Sequence, residues 1–159
     1  MKKFFSNFIV LIILFLISNC ACSQKEKTDL SLDIVNIEIN TWLNLMPGVS
    51  PGKFHLTGEA ALQNLGDEDI NSISLDKITV YSSEEVIYTF KPFFNNNLEE
   101  DNYNLKKGMT ELFSFGLKEG LKIDERIGNN KLIDIKLHFV SGKGSYTYLV
   151  KNVEVQEAY

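Results

Sequence analysis

The chain has 159 residues, two cysteines and a formal net charge of −5 at pH 7. This length is typical of one domain, and the acidic balance argues against binding to nucleic acid and against electrostatic attachment to anionic lipid. The sequence contains one arginine, Arg126, which also disfavours a site that clamps phosphate groups.

The N-terminal stretch has the features of an export signal. Two lysines, Lys2 and Lys3, precede an unbroken apolar run at residues 8–17. As a helix this run would be about 15 Å long at ~1.5 Å per residue, whereas a helix that crosses a bilayer needs about 20 apolar residues. We therefore interpret residues 1–19 as a cleaved signal peptide rather than a permanent transmembrane anchor.

The end of the apolar run resembles the lipobox of bacterial lipoproteins, in which a cysteine takes a diacylglyceryl group and becomes the mature N-terminus. The residues that suit this pattern are Leu16, Ile17, Ser18 and Cys20. Asn19 departs from the Gly, Ala or Ser that usually precedes the cysteine. The resemblance implies lipidation at Cys20. Cys22 is the second candidate, because small Ala21 precedes it but polar Asn19 occupies the position that favours an aliphatic residue.

The same resemblance implies a place in the cell envelope. A di- or triacylated Cys20 would hold the protein on a membrane without help from its surface, since two acyl chains give stable anchoring where one does not. Ala21, rather than Asp, after the cysteine favours the outer membrane by resemblance to lipoprotein sorting. The alternative is an ordinary signal peptide cut near Ala21, which would leave a soluble secreted protein.

The rest of the chain has no cysteine after Cys22, so an exported domain would fold without disulfides. Residues 20–33 are mostly polar and charged, which predicts a lipidated N-terminus followed by a short tether. Residues 34–159 are expected to form the folded domain.

The first half of this domain alternates between apolar and polar residues with a period of two, which predicts β-strands. Strands are expected over residues 35–45, 54–62 and 73–80, with turns at 46–52 and 64–69. In the first strand, Val35 is expected on the apolar side that faces the core. In the third strand the apolar phase shifts near Asp76 and Lys77. This shift indicates a bulge, or a corner where the strand changes sheets.

The second half shows the same alternation. A strand at residues 86–90 ends before Pro92, because proline cannot donate to a ladder. Residues 95–104 are rich in asparagine and acidic residues, which predicts a long exposed loop. The remaining expected elements are a strand over 109–117, a connection over 118–130 with a helical turn at 123–127, and a hairpin of 133–139 with 146–155. In the last strand the apolar phase shifts again before Val153.

Seven or eight strands without a convincing amphipathic helix predict an all-β fold, an antiparallel sandwich. The strand spacing from Val35 to Val155 resembles the immunoglobulin-like domains of many small bacterial lipoproteins. The chain lacks the cysteine pair of antibody domains, and its one tryptophan, Trp42, lies on the first strand. The resemblance therefore implies an immunoglobulin-like β-sandwich and transfers no functional residue.

No catalytic motif has the structural context that its chemistry requires. Residues 48–52 have the spacing G-x-S-x-G, but they lie in a turn between two predicted strands, whereas a nucleophile elbow joins a strand to a helix. The glycine-containing turns at residues 48–54 and 142–144 lack the complete phosphate-loop pattern. We therefore expect a protein that is not an enzyme and that needs no cofactor.

Trp42 is the main candidate for contact with a partner, because it lies on the polar side of the first strand and tryptophan is common at binding hot spots. The residues grouped with it are Met46, Phe93 and Phe94. The alternative, which we favour because tryptophan is highly buried on average, is that a neighbouring loop, the tether or the two phenylalanines cover it.

His55 and His138 are weak candidates for a metal site, since both lie in the outward phase of their strands. They would approach each other if their strands were neighbours, and Met46 or Met109 would then complete a soft copper site. Because no tight ligand spacing supports this idea, solvated surface histidines are the better interpretation, and we expect no metal.

These observations favour a membrane-anchored, non-enzymatic lipoprotein of the cell envelope that binds an unidentified protein or ligand. Two alternatives are a periplasmic copper-binding protein and a protease inhibitor. The inhibitor would present a loop such as 46–52 or 95–104 to its target.

Overall fold

A computed structural model describes residues 24–25, 30–48, 51–95, 103–127 and 131–159. The predicted signal peptide and both lipidation candidates, Cys20 and Cys22, lie outside these residues. Within the described ranges the chain forms eleven β-strands and one 3₁₀ turn. The elements are β1 (Gln24–Lys25), β2 (Leu32–Asn44), β3 (Lys53–Asn64), β4 (Ile70–Ser82), β5 (Glu85–Phe90), β6 (Phe93–Asn95), β7 (Tyr103–Leu105), β8 (Thr110–Gly116), β9 (Leu121–Lys122), the 3₁₀ turn Glu125–Ile127, β10 (Leu132–Ser141) and β11 (Gly144–Ala158).

The strands form one hydrogen-bonded sheet that folds over on itself at β11. We call its two halves sheet A, with the strand order β5-β4-β10-β11, and sheet B, with the order β11-β2-β3-β8-β6. The first part of β11 pairs with β10, and its last residues, from Val155 to Ala158, pair with β2. That last pairing is parallel, whereas the other described pairings are antiparallel. The predicted all-β fold is confirmed, with more strands than the seven or eight expected, whereas the expected antiparallel arrangement is wrong at the pair of β11 and β2.

The inner faces of the two halves pack against each other. The Phe54 ring of β3 stacks on the Tyr88 ring of β5 with centroids 5.0 Å apart, and the Phe94 ring of β6 meets the Phe139 ring of β10 edge-on at 6.0 Å. Burying one such apolar side chain contributes about 1.5–3 kcal/mol relative to leaving it exposed. The largest fully buried side chains are Tyr146, Phe54, Phe113, Phe115, Phe139, Leu32, Leu56, Leu62, Ile73, Leu75, Ile78 and Leu105.

The alternation predicted for β2 holds from residue 36 onward, where polar side chains line the face opposite the core. At its start the strand carries a bulge, because Ile34 and Asn36 pair with adjacent residues of β3. Val35 therefore has no partner across the strand pair, and its side chain is 52% exposed. The expected inward position of Val35 is wrong for this reason.

Two phase shifts visible in the sequence are confirmed as irregularities of strand register. In β4, Leu75 and Lys77 pair with consecutive residues of β10, so Asp76 is the extra residue of a bulge. In β11, the register against β10 shifts between Val150 and Val153. Such bulges bend a strand and increase its twist, which helps the sheet to fold over.

A segment from Leu121 to Ile127 contacts both halves of the sheet. Its first residues, β9, pair with β3 in sheet B. The Tyr88 hydroxyl of β5, in sheet A, donates to the Lys122 carbonyl and accepts from the Asp124 N–H, both at 2.7 Å. Arg126 forms an ion pair with Asp124 at 2.6 Å. The helical turn expected in this connection is confirmed as a 3₁₀ turn.

Two segments that were expected to be irregular contribute to the folded core. In the predicted tether, β1 pairs with β11, and Leu30 and Leu32 are buried. In the exposed loop predicted for residues 95–104, Tyr103 and Leu105 are buried on β7, which pairs with β4. Both expectations are wrong at these residues. β1 and β7 have only two and three residues, too few to show a period in the sequence, whereas Leu32 is the first residue of the long strand β2.

Candidate functional site

The outer face of sheet B carries the side chains of β2, β3, β8 and β6 that point away from the core. Strand register aligns them in rows, and we call three of these rows together the outer face. The rows are Trp42 with His55; Asn40 with Thr57, Gly116 and Phe93; and Glu38 with Glu59, Ser114 and Asn95. Apart from the buried glycine, these residues are exposed or half-buried.

Trp42 is half-buried and stacks on His55, the residue directly opposite on β3. The two ring centroids are 5.0 Å apart and the ring planes differ by 7°. Gly120 also lies against this imidazole, since a Cβ atom at Gly120 would be 2.6 Å from His55 Nε2. Burial, and then the charge of Lys53, lowers the pKa of His55. One face of Trp42 is therefore covered by a histidine, which the sequence did not predict as its cover.

Beside this aromatic pair the outer face forms a shallow cavity of about 250 Å³. Its polar lining includes Glu38, Asn40, Glu59 and Ser114, and Phe93 contributes an apolar wall. Asn40 Nδ2 donates to Glu38 Oε1 at 3.4 Å, and Ser114 Oγ donates to Glu59 Oε1 at 3.3 Å. These neutral donors orient the two carboxylates without balancing their charge.

Glu38 and Glu59 lie directly opposite each other in the antiparallel pair of β2 and β3. Residues in such a pair have Cβ atoms about 4.5–5.5 Å apart, and like charges at this distance destabilise a sheet. Among the described residues, no lysine or arginine forms an ion pair with either glutamate. The cavity therefore carries two negative charges that no lysine or arginine among the described residues neutralises.

The other residues expected to join Trp42 lie in different environments. Phe93 lies on the outer face and lines the cavity. Phe94, the next residue on β6, points inward and stacks on Phe113 with centroids 4.7 Å apart. Met46 is 45% exposed just after the end of β2. The structure thus brings Trp42 and Phe93 to one face and assigns Phe94 to the core.

The structure does not bring the two histidines together. His55 lies on β3 and His138 on β10, with β11 and β2 between them in the strand order. His138 Nδ1 is 3.1 Å from the Thr147 hydroxyl on the neighbouring strand. In the described part of the chain, no group of three or more histidine, cysteine, aspartate or glutamate side chains is placed to hold a metal ion. The idea that the histidines approach each other is wrong because their strands are not neighbours.

Sequence reasoning missed the carboxylate pair. The alternation of β2 and β3 places Glu38 and Glu59 on the polar faces of their strands, and this much is visible in the sequence. The register of the two strands is not visible, and a slip of two residues would keep both faces while separating the glutamates. The sequence therefore indicates that each glutamate points outward, but it does not indicate that the two glutamates lie opposite each other.

A larger cavity, of about 670 Å³, opens between β4 and the end of β8. Its apolar lining includes Phe94, Tyr103 and Leu117. The neighbouring residues 96–102 lie outside the described residues, as do residues 49–50 in the turn after β2. These are parts of the two loops considered for protease inhibition, so that hypothesis stays a prediction.

Comparison with known proteins does not assign the chain to a family. No protein-family model matches the chain, and no curated protein matches it. A solved structure described as "Structure of Iho670 Flagellar-like Filament" is similar at 12% sequence identity and a TM-score of 0.36, over 94% of this chain and 93% of that chain. A likeness at this level bears on neither fold nor function. None of the described residues belongs to a helix with the length and hydropathy of a membrane span.

Proposed function

We propose that this chain is a lipid-anchored, non-enzymatic lipoprotein of the cell envelope, held in the outer membrane, that binds a protein partner through the outer face of sheet B. In this proposal the folded domain is an immunoglobulin-like β-sandwich. It acts by contact with its partner rather than by chemistry.

The anchor is supported by the sequence of the leader. A basic start, a short apolar run and a cysteine at the end of that run are the features of a lipoprotein signal, with Cys20 as the residue that carries the lipid. The sandwich is supported by the ring contacts of Phe54 with Tyr88 and of Phe94 with Phe139, which join the inner faces of sheets A and B.

The observation that carries the binding proposal is the combination of features on the outer face. Trp42 and Phe93 lie within two neighbouring rows of the sheet, next to the opposed Glu38 and Glu59. Tryptophan is common at the energetic centre of protein interfaces. A pair of like charges on adjacent strands weakens the sheet, so folding alone does not account for it.

The anchor is tested by metabolic labelling with an alkyne analogue of palmitate in the native host. Cys20→Ala should abolish labelling and move the protein from the membrane to the soluble fraction, whereas Cys22→Ala should change neither. Labelling that persists in Cys20→Ala and is lost in Cys22→Ala would show that Cys22 carries the lipid. An unlabelled wild-type protein would rule out the lipid anchor.

The binding surface is tested by comparing Trp42→Ala with Tyr81→Ala, a change at a half-buried aromatic residue of β4 in sheet A. Trp42→Ala should abolish cross-linking to the partner in intact envelopes while the melting temperature falls by only a few degrees. Tyr81→Ala should leave cross-linking unchanged. Equal cross-linking by wild type and Trp42→Ala would contradict the proposed surface.

A further inference from the structure

We infer that the cavity between Glu38 and Glu59 seats a lysine or arginine side chain of a protein partner. This inference rests on the proposed function, because it takes the outer face as the binding surface. It adds the chemistry of the group that the surface recognises.

The first argument is charge complementarity. The two glutamates are opposed across β2 and β3, and the groups that hydrogen-bond to them are neutral, namely the Asn40 amide and the Ser114 hydroxyl. A cationic group placed between the carboxylates would replace repulsion with two attractive contacts. Ammonium and guanidinium groups both carry several donors for carboxylate oxygens.

The second argument is the apolar surroundings of the carboxylates. Phe93 lines the same cavity, and Trp42 lies one row beyond Asn40 on β2. Lysine and arginine side chains carry an apolar stem below the charged head, and that stem packs on aromatic rings while the head reaches a carboxylate. A cavity of about 250 Å³ has room for one such side chain.

The third argument concerns the alternatives to a side chain of a partner. Calcium in proteins takes six to eight oxygen ligands, whereas this open face supplies two opposed carboxylates and a few neutral oxygens. The described residues also contain no group of three acidic, histidine or cysteine side chains arranged for a metal. A long side chain from another protein needs no closed ligand shell, so the shallow face suits it better than it suits a metal ion.

The glutamate variants have a signature that a purely structural role would not produce. Glu38→Gln and Glu59→Gln each remove the like-charge contact, so the melting temperature should stay equal or rise slightly. Each should at the same time weaken binding of a cationic side chain by roughly tenfold, which is the loss of about one charged contact. Glu84→Gln, at an exposed glutamate in the turn between β4 and β5, is the matched control and should change neither property.

The experiment uses two peptides, acetyl-Ala-Lys-Leu-Ala-amide and its Lys→Gln counterpart. Each is titrated into the protein while the fluorescence of Trp42, the one tryptophan, and the amide shifts of β2 and β3 are followed. The lysine peptide should shift Glu38, Glu59 and their neighbours, and the glutamine peptide should bind at least about tenfold more weakly.

Equal binding of the two peptides, or lysine-peptide binding that is unchanged in Glu38→Gln and Glu59→Gln, would overturn the inference. Binding of Ca²⁺ alone at micromolar concentration through these glutamates would overturn it in favour of a metal site. Self-association that Glu38→Gln abolishes would overturn it in favour of a second copy of the chain. If Trp42→Ala loses the cross-link in envelopes while both glutamate variants keep it, this inference fails and the proposed function stands.

Discussion

The stack of Trp42 on His55 makes the chain's one tryptophan sensitive to the protonation of a histidine. Burial, followed by the charge of Lys53, lowers the pKa of His55 from its ordinary 6.5. The unfolded chain therefore binds this proton more readily than the folded chain does. The contribution of His55 to stability is complete above pH 6.5 and is lost as the pH falls from 6.5 through the lowered pKa of the folded state.

We expect the fluorescence of Trp42 to fall on acidification with a midpoint below pH 6.5, because a protonated imidazole stacked on an indole makes a cation–π contact and quenches its emission. His55→Gln should abolish this transition, whereas His138→Gln, at a histidine on a distant strand, should preserve it. A transition that survives in His55→Gln would contradict the stacking, and a midpoint at or above 6.5 would contradict the lowered pKa of His55.

Asn64 is a fully buried polar residue that holds three parts of the chain together. Its Nδ2 donates to the carbonyls of Glu68 at 2.8 Å and Leu105 at 3.0 Å, and its Oδ1 accepts from the Gly66 N–H at 2.9 Å. The Asn64 side-chain amide therefore links the end of β3 to the turn that follows it and to β7. Such a residue stabilises because every polar atom of its side chain is paired.

We expect Asn64→Asp to lower the free energy of unfolding by about 2–4 kcal/mol, because a carboxylate cannot donate to the two carbonyls and would be buried against them. Asn71→Asp, at an exposed position of β4, is the matched control and should change it by less than about 0.5 kcal/mol. Urea denaturation at pH 7 measures both. A loss at Asn64 no larger than the loss at Asn71 would show that the amide is not a structural link.

At the scale of the elements, the period of two in the sequence was enough to predict the long strands, most of their inward faces and two of their bulges. It could not predict the bulge at Val35 or the strands β1, β6, β7 and β9, which have two or three residues each. These short strands form because they hydrogen-bond to a longer neighbouring strand and pack against the core. For example, β7 pairs with β4, and its Tyr103 is buried. For the same reason the site was predicted as single residues, Trp42 and Phe93, while the opposition of Glu38 and Glu59 depends on register.

The segment from Leu121 to Ile127, which contacts both sheets A and B, contains an ion pair. Arg126 donates hydrogen bonds to Asp124 and holds the pKa of that carboxyl at about 2, below its ordinary 3.8. Because the pKa is depressed in the folded state, the contribution to stability is present above pH 3.8 and is lost as the pH falls through about 2. The Arg126 side chain is 50% exposed, so solvent screening reduces the contribution to about 1 kcal/mol or less.

We expect Asp124→Asn to be less stable than wild type at pH 7 by up to about 1 kcal/mol, and the difference to shrink towards zero between pH 4 and pH 2. Asp76→Asn, at the exposed bulge of β4, is the matched control and should give no such pH-dependent difference. Denaturant unfolding at pH 7, 4, 3 and 2 measures the trend. A difference that stays constant over this range would mean that the ion pair does not stabilise the segment.

At the scale of the whole molecule, the position of β1 determines how far the domain can stand from a lipid on Cys20. Gln24, where β1 begins, is four positions after Cys20, and a fully extended chain covers at most about 14 Å over this distance. With the proposed anchor the domain would therefore lie next to the membrane rather than at the end of a tether that runs to residue 33. This placement favours a partner on the same membrane.

The same observation predicts where the folded domain begins. A chain that starts at Gln24 should be as stable as the full mature protein, whereas a chain that starts at Ile34 should lose about 3–5 kcal/mol of unfolding free energy. The shorter chain lacks Leu30 and Leu32, which are 4% and 1% exposed and contribute about 1.5–3 kcal/mol each. It also lacks the pairing of β1 with β11.

Urea denaturation followed by circular dichroism measures both truncations. Leu32→Ser in the chain that starts at Gln24 should reproduce most of the loss, because it places a hydroxyl in the core. Leu65→Ser, at a leucine that is 56% exposed, is the matched control and should change the unfolding free energy by less than about 0.5 kcal/mol. Equal stability of the chains that start at Gln24 and at Ile34 would show that residues 20–33 act as a tether. The domain would then not be held next to the membrane surface.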